Sequence, residues 1–162
     1  MTEHVPTVVC GIDDSPNARA ALEEAVRLAV RRGARVRAVH VYEPPEMRGA
    51  WGFGPVAVVP LPRLEMYHRS ERQTARGIVD PVVERLRDTM ATMPEVEVDA
   101  VPGRPVEALV EAAEGAVALV VGHRGLGAIG SVMMGSTSLG CVMHAPCPVT
   151  VVPVPVPVPV TA

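Results

Sequence analysis

The run Ala116-Val-Ala-Leu-Val-Val121 contains no polar side chain. A strand apolar on both of its faces belongs in a parallel sheet with helices packed on either side. Parallel strands cannot be joined by hairpins, so each must be followed by a crossover, usually a helix. The rest of the chain supplies those crossovers. Thr7-Val-Val-Cys-Gly-Ile12 is β-rich and leads into Asp13-Asp14-Ser15-Pro16, which has N-cap chemistry with proline at the first helical position. Ala18, Ala21, Leu22, Ala25, Val26, Leu28 and Ala29 recur at helical spacing up to Arg31-Arg32-Gly33, a basic last turn with a glycine cap. Ala34 to Tyr42 alternates, with Val36, Ala38 or His40 opposite Arg35 and Arg37, and completes a βαβ unit.

Residues 44–62 hold five prolines and three glycines and read as a long loop. Helical periodicity resumes from Arg63 to about Met93, with Ala75, Ile78, Val79, Val82, Val83 and Leu86 on one face. Pro81 is expected to bend or split that helix. Glu95 to Val101 alternates as a strand, and Gly103-Arg104-Pro105 opens a helix with Val106, Leu109, Val110 and Ala113 inward. After the apolar strand and a glycine-rich loop, Ser136 to about His144 forms a short helix and Pro148 to Val152 a last strand. The order β-α-β-α-β-α-β-α-β predicts an α/β fold with an open, doubly wound, five-stranded parallel sheet. Ligands of such sheets sit outside the carboxyl ends of the strands. Residues 1–153 are read as one domain, and residues 154–162 as a Val/Pro-rich extended tail.

Composition removes several functional classes. With 162 residues, 48% of them hydrophobic, and a formal charge of −3, the chain has the size and balance of a single folded domain and offers nucleic acid little to hold. Its aromatic residues are Tyr42, Trp51, Phe53 and Tyr67, too few for a base-stacking platform. All 15 basic residues are arginine. Without lysine there is no Schiff-base nucleophile, no P-loop lysine and no kinase-type lysine. Cys10, Cys141 and Cys147 lack CxxC spacing and lie in apolar surroundings, as reduced core thiols do. The five histidines are scattered, and no metal cage is expected. The N-terminal residues resemble no signal sequence and no apolar run is long enough to cross a membrane, so a cytoplasmic chain without membrane contact is expected.

The informative segment lies between the apolar strand and the next helix. Gly122, Gly125, Gly127, Gly130 and Gly135 fall within it. Gly125-x-Gly127-x-x-Gly130 matches a dinucleotide fingerprint as a string, but it follows the fourth strand and no acidic residue stands about 20 positions later. Gly130-x4-Gly135 before Ser136-Thr137 is similar to a P-loop with serine in place of its lysine, which keeps a backbone cradle without the lysine charge. No Asp or Glu follows Glu114, so an anion at this helix N-terminus would meet no carboxylate repulsion from the segment. Arg124 would pair either with a phosphate or with a surface carboxylate. The plainer alternative makes these glycines turns and packing points.

Gly122-x2-Gly125-x9-Gly135-Ser136 resembles the G-2x-G-9x-G-(S/T) signature of the ATP-binding branch of the universal stress protein family. Val9-Cys-Gly-Ile-Asp-Asp-Ser15 is similar to that family's first strand and acidic turn, and Ala145-Pro-Cys-Pro-Val-Thr-Val-Val152 to its last strand. The resemblance implies an adenine nucleotide alpha hydrolase-like fold that binds ATP with Mg or Mn. It places ribose and phosphates at Gly122, Gly125, Gly135 and Ser136, with Thr137 and Arg124 beside them and Asp13 bordering the pocket. Adenine would meet backbone groups near Val41 and the side chain of Ile12. For Asp13 a turn or cap role is the alternative, and His123 reads as a solvated loop residue. The resemblance further implies a homodimer through the last strand and a nucleotide-responsive regulatory role. A slow ATP-hydrolysing or adenylyl-transferring enzyme and a cAMP-binding member are the competing readings.

Overall fold

Ser15 ends the first turn of chain and starts the first helix. In the computed structural model, which describes residues 5–44, 61–124 and 134–153, its Oγ accepts from the Ala18 amide at 3.1 Å. Helix α1 (Pro16–Arg32) then runs to Gly33, whose φ of 59° is the left-handed conformation that glycine adopts without strain. The strand before it, β1 (Thr7–Ile12), pairs in parallel with β2 (Arg35–Tyr42), placing Cys10 opposite Ala38. The remaining elements are α2 (Leu61–Thr89), β3 (Val96–Pro102), α3 (Pro105–Ala112), β4 (Ala118–Gly122), α4 (Ser136–His144) and β5 (Val149–Val152).

The five strands lie in the order β3-β2-β1-β4-β5, and every pairing is parallel. The expected open doubly wound sheet is therefore present. The chain moves outward from β1 to β3 and then returns across to β4, so the strand order reverses between β1 and β4. Each sheet face has its own core. Val8, Cys10, Val36, Ala38, Val98 and Val120 pack under α1 and α2, where Leu22, Val26, Val79 and Leu86 are buried. Val9, Val39, Leu119 and Val121 pack on the other face with Leu109, Ala113 and Cys141. Val120 and Val121 thus serve opposite cores, which is why the strand shows no polar alternation.

Three local expectations are corrected. Pro81 does not split its helix, because α2 continues through it. Buried side chains on both sides of the proline, Ile78 and Val79 before it and Val82, Val83 and Leu86 after it, hold the two halves on the sheet. This helix also starts at Leu61 and stops at Thr89, short of Met93. On α3, Ala108 is buried with Leu109, while Val110 is only half-buried and Val106 turns toward Gly140 of α4. Leu109 and Ala113 are buried as expected, while Val106 meets α4. The 45–60 part of the proline-rich loop, Gly125 and the tail beyond residue 153 lie outside the described residues.

Candidate functional site

At the carboxyl ends of β1, β2 and β4 a crevice of about 390 Å³ opens beside the strand-order reversal. That volume falls within the range of about 300–1,000 Å³ usual for small-molecule sites. β1 contributes Gly11 and Ile12 with the following Asp13, β2 contributes Val39 and Val41, and β4 contributes Val121 and Gly122 with the following Arg124. Gly135, Ser136, Thr137 and Ser138 enter from the start of α4. Ile12, Asp13, Val41, Gly122, Arg124, Gly135, Ser136 and Thr137, all singled out in the sequence, are therefore brought to one place, while Gly125 falls outside the described residues.

The acidic turn is internally organised. Asp13 Oδ1 accepts from the Ser15 amide at 3.0 Å and from the Ser15 hydroxyl. Asp13 consequently serves the turn and borders the crevice at once. Ser15 also lies 3.4 Å from the Arg124 carbonyl, which brings the start of α1 against the end of β4.

The α4 end is held differently. Gly135, the N-cap, provides no side-chain cap to the helix, and its amide donates to the His123 carbonyl at 2.9 Å. Ser138, in the first turn of α4, donates to the Gly122 carbonyl at 2.5 Å. His123 is fixed through its backbone, with its amide donating to Val152 at 2.8 Å. The first-turn amides of α4 open on the crevice as the positive end of a short helix dipole.

Sequence reasoning missed Gly11, Val39, Pro105, Leu109, Val121 and Ser138 as crevice residues. Three of them were within reach. Val39 lies two positions before Val41 and so on the same strand face, and Pro105 and Leu109 share one side of α3 at i, i+4 spacing. Ser138 carried no such signal. A second cleft, about 590 Å³, lies between the start of α2 and the ends of β2 and β3, lined in part by Tyr42, Tyr67, Arg69 and Arg72. None of the described signature residues lines it. Among the described residues no group of three or more His, Cys, Asp or Glu side chains is arranged to hold a metal ion. No helix among them is long and apolar enough to cross a membrane.

Fold and crevice together define a doubly wound α/β protein with a ligand-sized opening at its switch point. The chain belongs to the universal stress protein family, whose model matches residues 5–153. It is 36% identical over 146 residues to a Thermus aquaticus protein described as the universal stress protein in the QAH/OAS sulfhydrylase 3′ region, covering 88% of this chain and 95% of that one. A universal stress protein of Mycobacterium tuberculosis is 33% identical over 144 residues, but this chain spans only 46% of its length. Among solved structures, the universal stress protein UspA from Lactobacillus plantarum superposes with a TM-score of 0.67 at 25% identity, covering 91% of this chain and 97% of that one. A universal stress protein in complex with cAMP superposes with a TM-score of 0.59 at 26% identity, covering 91% of this chain and 95% of that one.

Proposed function

We propose that this chain is an ATP-binding regulatory module whose nucleotide occupies the switch-point crevice. The observation that carries the reading is the convergence of three strand ends and the uncapped start of α4 on one opening of ligand size. Val39, Val41 and Ile12 offer an apolar slot for a flat base, with the β2 backbone beside it for hydrogen bonding. Among the described residues Asp13 is the one carboxylate lining the crevice, and it suits the ribose hydroxyls. The triphosphate then runs toward Gly135, Ser136 and Thr137, where backbone amides meet it without a carboxylate in the way. The solved relative in complex with cAMP supports an adenine nucleotide as the ligand class. Cyclic AMP is accordingly the second reading for the same crevice.

The donor set suits a metal that travels with the phosphates. Asp13 alone supplies a carboxylate there, so Mg or Mn would take most of its ligands from the nucleotide and water. The chain has no lysine, and among the described crevice residues Arg124 is the single cationic side chain. Rapid phosphoryl transfer ordinarily uses more positive charge and a positioned base. We therefore read the protein as a binder with very slow turnover, and we further propose a cytoplasmic homodimer joined through the β5 edge.

Thermal unfolding with and without nucleotide tests the reading. ATP with Mg, at 100 times its Kd, adds about 2.7 kcal/mol to the folded state and raises Tm visibly. Absence of any shift with millimolar ATP, ADP or cAMP would sink it. Preference is settled by competition between ATP and cAMP. Phosphate release below about 1 s⁻¹, the low end of usual turnover, is the expected companion result.

A further inference from the structure

We propose that Ser138 is a positioning residue that sets the phosphate-binding end of the crevice by completing a hydrogen bond which the sheet itself leaves unmade; the phosphate assignment rests on the nucleotide reading above. The paired register of β1 with β4 extends to Cys10 opposite Val120. Leu119 and His123 turn their amides toward the β5 side, onto Pro148 and Val152. By strand alternation Gly122 turns its carbonyl the other way, toward β1, at the point where the β1–β4 register has ended. That carbonyl is the next acceptor the ladder would have used. Ser138 Oγ donates to it at 2.5 Å, with the His123 carbonyl at the margin, 3.5 Å away.

The arrangement is built rather than incidental. Ser15 and Ser138 are the buried polar residues among the described residues, at 2% and 4% exposure. A buried hydroxyl in a helix contributes less to the helix than alanine would, so its worth lies in the bond it makes. Both serines serve the end of β4. Ser15 approaches the Arg124 carbonyl from α1, and Ser138 takes the Gly122 carbonyl from α4. With Gly135 bonded to His123, the first turn of α4 is fixed to the strand end at two points, on either side of Ser136 and Thr137. Their amides are thereby aimed before any ligand arrives, and a phosphate would be bound without first ordering the turn.

Calorimetric titration of the intact chain and of Ser138→Ala with adenosine and with Mg-ATP tests this role. Ser138→Ala keeps the adenosine Kd within about twofold and weakens ATP by about tenfold, the cost of one hydrogen bond to the site's geometry. Hydrogen exchange of the Ser136–Leu139 amides rises in the ligand-free variant, which separates positioning from direct ligand contact. Ser138→Thr, which keeps the hydroxyl, restores ATP affinity. Ser138→Cys, close in volume with only a weak S–H donor, supplies the same comparison if the alanine variant does not fold. Equal losses for adenosine and ATP, or no loss for either, overturn the role of Ser138 while leaving the nucleotide reading intact. A parent protein that binds neither ligand overturns both.

Discussion

The backbone of Gly122 approaches Asn17 so closely that a Cβ at position 122 would lie 2.7 Å from the Asn17 carbonyl carbon and 2.9 Å from its oxygen. This glycine opens the Gly122-x2-Gly125-x9-Gly135-Ser136 pattern, and its surroundings give it a packing duty: it lets the end of β4 lie close against the first turn of α1. Gly122→Ala forces two backbone segments apart, and overpacking of this kind costs about 1–3 kcal/mol. Chemical denaturation of the variant should show that loss in the absence of any nucleotide. An unchanged midpoint would refute that packing duty.

Pro81 interrupts the hydrogen-bond ladder of α2 while buried neighbours on both sides hold the helix in place. Pro81→Ala restores the missing donor to the Gly77 carbonyl and should stabilise the fold by up to about 3 kcal/mol. The expected signature is a higher urea midpoint with the same m-value. A lower midpoint would mean that the ring itself contributes packing that alanine cannot replace.

The thiols should differ in reactivity by burial. Burial pushes the Cys141 thiol up to about 11 from 9.0 and raises Cys10 further still, while Cys147 is raised less and is partly exposed. A maleimide at pH 8 should label Cys147 first, with Cys10 and Cys141 reacting only as the protein opens. The same shifts set a pH dependence. A thiol that stays protonated in the folded state but ionises near 9 when unfolded gives stability that is whole below pH 9 and is lost as the pH rises toward 11. Replacing Cys10 and Cys141 together by alanine should flatten that alkaline slope. An unaltered slope would assign it to other groups.

β5 is an edge strand whose outer side is formed by Val149 and Val151, because Pro148 and Val152 give their carbonyls inward to Leu119 and His123. Val151→Pro therefore removes an outward amide and spares the ladder with β4. If the homodimer forms through this edge, light scattering should report a dimer for the parent chain and a folded monomer for the variant. A dimer that survives the substitution places the interface elsewhere.

Much of this molecule could be read from local chemistry. The N-cap at Ser15 and the left-handed Gly33 mark the ends of α1, and the apolar run ending at Val121 announces a strand with a core on each side. Crevice residues on β1, β2 and β4 were legible because a signature and strand ends point to one crevice. What escaped was whatever depends on one element meeting another. Ala108 is buried where Val110 is only half-buried, and the apolar periodicity of α3 alone does not choose between them. Ser138 looks like any small residue in the first turn of a helix until the divergence of β1 from β4 exposes a carbonyl for it. Continuity through Pro81 likewise depends on the sheet beneath the helix, since propensity by itself argues for a break.

The two layers that cover the sheet are unequal in length: α1 and α2 have 17 and 29 residues, against 8 and 9 for α3 and α4. Pocket residues on helices come chiefly from the shorter pair, with Pro105 and Leu109 on one member and Ser136, Thr137 and Ser138 on the other. Helices of two turns have little cooperativity of their own and keep their shape through what they touch. The crevice therefore draws most of its helical walls from the elements with the least stability of their own. If the proposed nucleotide occupies the crevice, hydrogen-exchange protection should rise first in α3 and α4, ahead of α1, α2 and the sheet.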